Sequence, residues 1–237
     1  MNIVLIGTGR MGRIVREQAE AHGHKIILTV DRGSAGALAG KPAADAVIDF
    51  SGPGALPQVL DYLRQTGTAY VCGTTGYSDD ETSLIREIAK FSPVLYSGNF
   101  SLGVAVVKRM LETYSPFLTE AGFDCEIVET HHKSKKDAPS GTARLLRAAI
   151  SSDENVGIHS LRGGTVCGIH QVNFFGQDET VTLTHEATSR AIFAKGALTA
   201  ACSLAHRKAG WYSFEEIIFG GNDNECSGTD QLHKQLR

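Results

Sequence analysis

The sequence predicts an α/β protein: a parallel sheet with helices comes first, and a smaller α+β domain with an open mixed sheet follows. Three observations support this prediction. A glycine-rich turn near the amino terminus joins a short apolar run to a helix-like segment. Apolar runs of strand length then alternate with helix-like segments up to about residue 100, as in parallel sheets. Beyond that point strand patterns dominate as far as residue 187.

Composition limits the classes of function. The 237 residues are 42% hydrophobic, so the chain can bury a large core. Its net charge of −3 provides no overall field that attracts nucleic acid. The five cysteines are scattered and form no Cys-x-x-Cys pair, which argues against a disulfide framework and against a metal cluster. With no apolar run of membrane-spanning length and no secretory signal, we expect a reduced, cytoplasmic protein without a membrane or nucleic-acid partner.

The amino-terminal glycine turn has the spacing of a dinucleotide-binding loop. Residues 2–6 form an apolar strand pattern, and the sequence G-T-G-R-M-G (7–12) leads into a helix-like segment. A second predicted strand, 25–30, ends at Asp31, about twenty residues after the last glycine, where a carboxylate would bind an adenosine ribose. We therefore predict a Rossmann-type domain. Arg32 could reach a 2′-phosphate, so NADH and NADPH both remain possible.

Later loops of the first part are expected to join the same site. Further strands are predicted at 46–51 and 69–72, helices at 55–65 and 80–91, and a flexible connector at 33–45. In parallel sheets ligands lie at the carboxyl ends of the strands. The residues expected there, beside the glycine loop, are Ser51, Gly73, Thr74, Thr75, Gly76, Ser97, Gly98, Asn99 and Phe100.

The second part begins with a long amphipathic helix pattern at 102–118. Strands are predicted at 125–128, 158–161, 166–175 and 180–187, a helix at 189–207, a short helix at 211–219 and a loosely held tail at 220–237. Arg162 is either a substrate clamp or a surface residue. His159, His170 and His185 lie in strand patterns and are interpreted as structural or interface histidines.

The segment from Glu129 to Ala143 concentrates groups that could carry chemistry. His131 and His132 are adjacent, three lysines follow, and the turn at 137–139 leads to a helix start at Ser140, Gly141 and Thr142. Histidine titrates near neutral pH, a lysine crowded by other cations has a lowered pKa, and a helix start attracts anions. A solvated basic loop is the alternative reading. The combination instead favours a site for proton transfer to a bound anion.

The sequence resembles the 4-hydroxy-tetrahydrodipicolinate reductase (dihydrodipicolinate reductase) family over residues 2–219. The most specific element is E-x-H-H-x-x-K-x-D-A-P-S-G-T-A from Glu129 to Ala143, and the runs 9–12, 73–76 and 99–103 agree in order and spacing. The resemblance implies a dinucleotide-binding domain at 1–102 and 190–237, and a substrate-binding and oligomerisation domain at 103–189. It further implies a cytoplasmic homotetramer.

The resemblance also implies roles for individual residues. His131 and Lys135 would be catalytic, His131 as a proton donor or acceptor and Lys135 as the proton donor. His132, Ser140, Gly141 and Thr142 would bind a substrate carboxylate. The implied cofactor contacts are Gly7, Thr8, Gly9, Arg10, Met11, Gly12, Asp31, Arg32, Gly73, Thr74, Thr75, Ser97, Gly98, Asn99 and Phe100.

The implied reaction is NADH- or NADPH-dependent reduction of a cyclic unsaturated dicarboxylate in lysine and diaminopimelate biosynthesis. Two other readings remain open: a different two-domain dehydrogenase acting on an amino or oxo acid, and a non-catalytic NAD(P)H-binding sensor. The glycine loop is one residue shorter than the commoner family form, and the connector at 33–45 is short. The shorter glycine loop bears on cofactor preference, and the short connector implies that a cofactor-side helix of larger family members is missing.

Overall fold

A computed structural model of the chain describes residues 1–31, 34, 36–150 and 156–220. They form two compact units. Among the described residues, the first comprises 1–100 and 193–220, and the second comprises those between 101 and 192. The predicted tail lies outside the described residues, apart from Gly220.

The elements follow one another along the chain. They are β1 (Asn2–Ile6), α1 (Arg10–Ala21), β2 (Lys25–Val30), β3 (Ala46–Asp49), α2 (Leu56–Thr66), β4 (Ala69–Cys72), α3 (Asp79–Ile88), β5 (Pro93–Tyr96), α4 (Leu102–Glu120), β6 (Asp124–His131), α5 (Gly141–Ile150), β7 (Gly157–Arg162), β8 (Ile169–Phe175), β9 (Thr180–Glu186), α6 (Ala191–Leu204), β10 (Gly210–Tyr212) and α7 (Phe214–Phe219).

The first unit contains the predicted parallel sheet. Its strand order is β10-β5-β4-β3-β1-β2, and every pair of neighbours is parallel. All residues of β3 and β4 are buried, which explains why these strands read as continuous apolar runs rather than as alternating ones. Since all strands run the same way, their carboxyl ends and the loops that follow lie along one edge of the sheet.

The second unit contains the predicted open mixed sheet. Its order is β7-β6-β8-β9; β6 and β7 are parallel, and the other two pairs are antiparallel. One face packs on α4 and α5 through Val104, Leu111, Leu146, Val172 and Phe174, which form one core cluster. Within the described ranges, no helix is both long enough and apolar enough to cross a bilayer.

One expectation about the first unit needs correction, and one strand of its sheet was not predicted. The predicted helix at 211–219 is helical only from Phe214, and Gly210–Tyr212 instead form β10, parallel to β5. Trp211 is held there by Tyr96, with ring centroids 6.5 Å apart, and by Arg86, whose guanidinium lies 4.6 Å from the indole centroid. β5 was not predicted, because it begins with Pro93 and a proline argues against a strand.

Gly196 provides a test of the packing of α6. A Cβ atom at this position would lie 1.8 Å from the backbone oxygen of Phe100. Gly196→Ala should therefore force the backbone apart, lower the free energy of unfolding by about 3 kcal/mol and lower Tm by about 6–12 °C. Urea and thermal denaturation measure both quantities.

Gly54→Ala is the matched control, because a Cβ there meets no atom within 4 Å. Its free energy of unfolding should stay within about 0.5 kcal/mol of wild type. Equal stability of the two variants would contradict the close packing of α6 on Phe100.

Candidate active site

The glycine turn between β1 and α1 is built by two close backbone contacts. Gly7 has φ +101°, and a Cβ there would lie 2.5 Å from the oxygen of Phe50. A Cβ on Gly12 would lie 2.0 Å from the oxygen of Gly7, so this turn requires glycine at both positions. Between them Thr8, Gly9 and Arg10 are exposed.

The start of α1 is suited to an anion. Gly9 occupies its N-cap, and among the described residues no side chain caps this helix. A Cβ on Gly9 would meet no atom within 4 Å, so there is free space directly above the helix start. The space and the uncapped first-turn amides fit the pyrophosphate of a dinucleotide.

Asp49, a residue given no role from the sequence, organises the neighbouring loops. Its carboxylate is fully buried at the end of β3. It accepts hydrogen bonds from the Ser51 hydroxyl at 2.6 Å, the Thr74 hydroxyl at 2.8 Å and the Tyr70 hydroxyl at 3.0 Å. Burial raises the pKa of Asp49, and these hydrogen bonds oppose the rise. The signal available in the sequence was an acidic residue closing an otherwise apolar strand.

Three other predicted cofactor residues, Gly73, Phe100 and Ser97, shape the loops that follow β4 and β5. Gly73 makes room for the Phe50 ring, because a Cβ there would lie 2.2 Å from its Cε1 atom. Phe100 is only 1% exposed and packs edge-on against Phe50 at 5.8 Å, so its ring is part of the core. The Ser97 hydroxyl donates to the backbone oxygen of Asn99 at 2.7 Å, which shapes that loop.

The acidic residue after β2 is already engaged. The Ser34 hydroxyl donates to Oδ1 of Asp31 at 2.7 Å. This hydrogen bond holds the carboxylate directly after β2, at the position where the sequence predicts that it binds the ribose. Arg32 lies outside the described residues.

In the second unit a buried ion pair anchors the segment that follows β6. Glu129 has no exposed surface, and Arg162 binds its two carboxylate oxygens with separate guanidinium nitrogens, at 2.7 and 2.9 Å. Arg162 also donates to the backbone oxygen of Asp137 at 2.7 Å, which ties down the loop. The guanidinium is thus engaged by Glu129 and by the loop, an arrangement that neither of the two readings from the sequence included.

The pKa of Glu129 reflects these contacts. Burial raises it, but the Arg162 hydrogen bonds and other contacts outweigh burial and lower the pKa to about 2. The carboxylate is therefore ionised at neutral pH. It also hydrogen-bonds Nδ1 of His131. This places a fixed negative charge behind a predicted catalytic histidine.

His131 is mostly buried at the end of β6. Burial lowers its pKa, and the hydrogen bond and charge of Glu129 oppose that change. With Glu129 at Nδ1, the Nδ1–H tautomer is favoured, and Nε2 is the nitrogen left to exchange a proton. Gly168 leaves room for this ring, because a Cβ there would lie 3.0 Å from Nε2.

Lys135 and His132 lie on the more open side of the loop. The Nζ atom of Lys135 is 2.8 Å from Oδ1 of Asp137, so its nearest charge is a carboxylate and not the other cations that the sequence suggested. Nδ1 of His132 lies 2.9 Å from the Ser134 hydroxyl. Lys135 also donates its amide N–H to the backbone oxygen of His132 at 3.0 Å, which closes a turn.

Hydrogen bonds of Ser140, the residue directly before α5, fix the start of this helix. Ser140 is buried, its N–H donates to Glu129 at 3.2 Å, and its hydroxyl accepts from the Ala143 N–H at 3.2 Å. Gly141 is exposed and Thr142 is half-buried, so the first turn of α5 faces outward beside the loop. The buried end of the site is made by His131, Glu129 and Ser140, and its accessible end by Lys135 and the α5 start.

The three strand histidines have different environments. His159 is exposed and pairs with Glu126 at 2.8 Å, as expected for a surface histidine. His170 is instead buried and His185 is half-buried, and the His170 ring lies 5.1 Å from that of His131, edge to face. No spacing within the sequence signals this proximity, which arises from strand pairing.

The Glu129–Arg162 ion pair should make the free energy of unfolding depend on pH in the acidic range. The unfolded pKa of 4.5 exceeds the folded value of about 2, so the ionised carboxylate stabilises the fold above pH 4.5 and loses this effect as the pH falls toward 2. The shift corresponds to a contribution on the order of 3 kcal/mol. Glu129→Gln should be less stable than wild type at neutral pH.

The difference in unfolding free energy between wild type and Glu129→Gln should narrow between about pH 5 and pH 3, as measured in urea titrations. Glu126→Gln, which removes an exposed carboxylate of the same strand, should show a far smaller difference. A wild-type advantage that is constant over this range would argue against a depressed pKa at Glu129.

Comparison with known proteins places the chain in a family. Residues 1–100 match the family described as dihydrodipicolinate reductase, N-terminus, and residues 103–218 match dihydrodipicolinate reductase, C-terminus. A 4-hydroxy-tetrahydrodipicolinate reductase of an Exiguobacterium species is 38% identical, over 92% of this chain and 95% of that relative. One from Staphylococcus epidermidis is 36% identical, over 92% of this chain and 100% of that relative.

A solved structure shares the fold. The dipicolinate-bound dihydrodipicolinate reductase from Paenisporosarcina sp. TG-14 has a TM-score of 0.71 and 21% identity, covering 92% of this chain and 99% of that one. The glycine turn, the predicted signature and the matches over both units agree. The chain belongs to the dihydrodipicolinate reductase family.

Proposed function

We propose that this chain reduces 4-hydroxy-tetrahydrodipicolinate to tetrahydrodipicolinate with NADH or NADPH, in diaminopimelate and lysine biosynthesis. The observation that carries the proposal is the segment after β6. It presents a histidine backed by a buried carboxylate, a lysine and a helix start within a dozen residues. The relatives that match 92% of this chain are named for this reaction.

The first unit would hold the cofactor. The turn at Gly7 and Gly12 and the open space over Gly9 fit a pyrophosphate, and Asp31 stands where the ribose hydroxyls would be bound. A bound NADH or NADPH supplies the hydride from its nicotinamide ring. The loops anchored by Asp49 would border the same site, because they leave the same edge of the sheet.

The second unit would hold the substrate. A dicarboxylate needs cationic groups and N–H donors, and the start of α5 at Gly141 and Thr142 offers backbone amides beside Lys135 and His132. Ser140 is buried beneath them and fixes the turn. We assign one substrate carboxylate to this helix start.

His131 and Lys135 would carry the proton chemistry. Loss of the C4 hydroxyl together with a proton of C3, as water, would leave a C3–C4 double bond conjugated with the ring imine. Hydride addition at C4 would then move electron density onto C3 and the ring nitrogen. The Lys135 ammonium would stabilise that developing charge. Protonation at C3 then completes the reduction, and His131 can deliver the proton from Nε2 because Glu129 holds its other nitrogen.

The proposal extends to assembly and location. We assign the chain to the cytoplasm as a homotetramer joined through the second-unit sheet. Leu161 and Phe175 support the assignment of a tetramer, since these apolar side chains of the sheet are 55% and 45% exposed. Sedimentation velocity measures the oligomeric state directly, and a monomer at micromolar concentration would refute the assignment.

The cofactor site is tested by two glycine substitutions. Gly9→Ala should leave Tm unchanged, because its Cβ meets no protein atom, yet raise the Kd of NADH and NADPH about tenfold by filling the phosphate space. Gly12→Ala should lower both stability and affinity, because its Cβ collides with the backbone of Gly7. Calorimetric titration and thermal melts separate the two effects; unaltered binding in Gly9→Ala would move the pyrophosphate elsewhere.

The proton-transfer roles are tested by turnover. Lys135→Ala and His131→Ala should each lower kcat by about 100- to 10,000-fold while leaving NADH affinity intact. The assay follows NADH and NADPH oxidation by absorbance, with the product of a dihydrodipicolinate synthase supplied fresh, and it also ranks the two cofactors.

Lys136→Ala is the control, because Lys136 is exposed in the same loop and should be dispensable. A preserved kcat with a raised KM would reassign the altered residue to substrate binding. NADH binding without any oxidation by the wild type would favour a sensor or a different substrate.

A further inference from the structure

Two histidines in the second unit, His170 buried and His185 half-buried, repeat the same arrangement. Nε2 of His170 lies 3.3 Å from the hydroxyl of Ser140, and Nε2 of His185 lies 3.1 Å from the hydroxyl of Ser101. Each serine also accepts the N–H of the residue three positions later, which is N-cap geometry. Each imidazole therefore fixes the beginning of one helix: His170 that of α5, and His185 that of α4.

The two histidines are neighbours on one face of the sheet. They are directly paired across β8 and β9, and their ring centroids are 6.3 Å apart. Nδ1 of both rings is buried and has no partner among the described residues. The hydrogen bond to serine is thus the polar contact that holds each ring.

His170 differs from His185 in one respect: its contacts lead to the proposed catalytic group. Its ring packs edge-on against His131, whose Nδ1 is bonded to Glu129. Glu129 in turn accepts the N–H of Ser140, whose hydroxyl bonds His170. These four contacts form a closed ring, and its members are between 0% and 8% exposed.

The charge state of His170 suits a fixed support. Burial, followed by the nearby His131 and His185, lowers the pKa of His170 to about 4, so it is neutral at physiological pH. A neutral imidazole can bond Ser140 and lie beside His131 without opposing protonation of His131. His170 therefore contributes ring packing against His131 and one hydrogen bond, to Ser140.

We propose that His170 is a positioning residue for the reaction, which fixes the substrate-binding start of α5 through Ser140 and the ring of His131 through edge-on packing. The proposal rests on the proposed function for the identity of the substrate. The two contacts have separable consequences. The bond to Ser140 should affect substrate affinity, and the ring packing should affect proton transfer.

Three substitutions separate the contacts. His170→Phe keeps a ring beside His131 but removes the bond to Ser140, so KM for the substrate and the Kd of dipicolinate should rise about tenfold with kcat within about threefold of wild type. His170→Ala removes both contacts and should also lower kcat about tenfold or more. His170→Gln, which can still bond Ser140, should restore KM to within about threefold of wild type.

A double-mutant cycle tests whether Ser140 carries the effect on affinity. Ser140→Ala should raise KM as His170→Phe does, and the double variant should be no worse than the more impaired single variant, because the same bond is lost once. His185→Phe is the matched control, since it removes the equivalent bond at α4. His185→Phe should lower Tm about as much as His170→Phe does, but it should leave the Kd of dipicolinate unchanged.

Hydrogen–deuterium exchange provides a readout that does not require turnover. Amides of residues 140–143 should exchange about tenfold faster in His170→Phe, whereas in His185→Phe the change should fall at residues 101–104. Faster exchange at 140–143 with raised KM and Kd supports the proposal. Lowered Tm with unchanged exchange there, or with unchanged KM and Kd, overturns it.

Failure of the proposed function would look different. A wild-type chain that neither oxidises NADH or NADPH with the substrate nor binds dipicolinate would refute the assigned reaction, and with it the positioning of that substrate. The exchange pattern would then still decide whether His170 holds the start of α5.

Discussion

The second unit depends on one enclosed carboxylate, that of Glu129. Burying a charge costs several kcal/mol, and the cost is recovered only where geometry and hydrogen bonding are complete. Here two guanidinium nitrogens, an imidazole and a backbone amide surround the two oxygens. Removal of one partner of such a pair typically costs about 3–5 kcal/mol, because the other charge is stranded. The strand end, the loop and the start of α5 are therefore fixed together.

A second enclosed carboxylate plays a comparable part in the first unit, with different partners. Asp49 is surrounded by three hydroxyls and a backbone amide, all uncharged. Its pKa rises because burial prevails, whereas the pKa of Glu129 falls because of a guanidinium. Both residues lie at or near the end of a strand and bind the loops that follow. Each unit thus uses a polar centre to give shape to loops that an apolar core could not specify.

The sequence was sufficient where a pattern is local. The contact between Gly7 and Gly12 in the glycine turn joins residues close in the chain. The strands at 25–30 and 69–72 were predicted to the residue because their apolar runs are bounded by turn residues. The strands β5 and β10 escaped prediction because β5 begins with a proline and β10 has only three residues.

The site was predictable only in part, for the same reason. The signature placed His131, Lys135 and Ser140 in one segment, but the groups that support them come from other strands. Arg162 is 33 residues from Glu129 in the chain, and His170 reaches Ser140 from β8. Strand pairing creates these contacts, and no spacing within the sequence encodes them.

The paired histidines also bear on how the sheet finds its alignment. A slip of one residue between β8 and β9 would turn every side chain of the displaced strand to the other face. An apolar core can tolerate an approximate repacking, but a displaced imidazole would leave a buried serine hydroxyl without its bond. The His170–His185 pair therefore penalises misaligned hairpins, so that residues serving the site also specify the strand register from which the site is built.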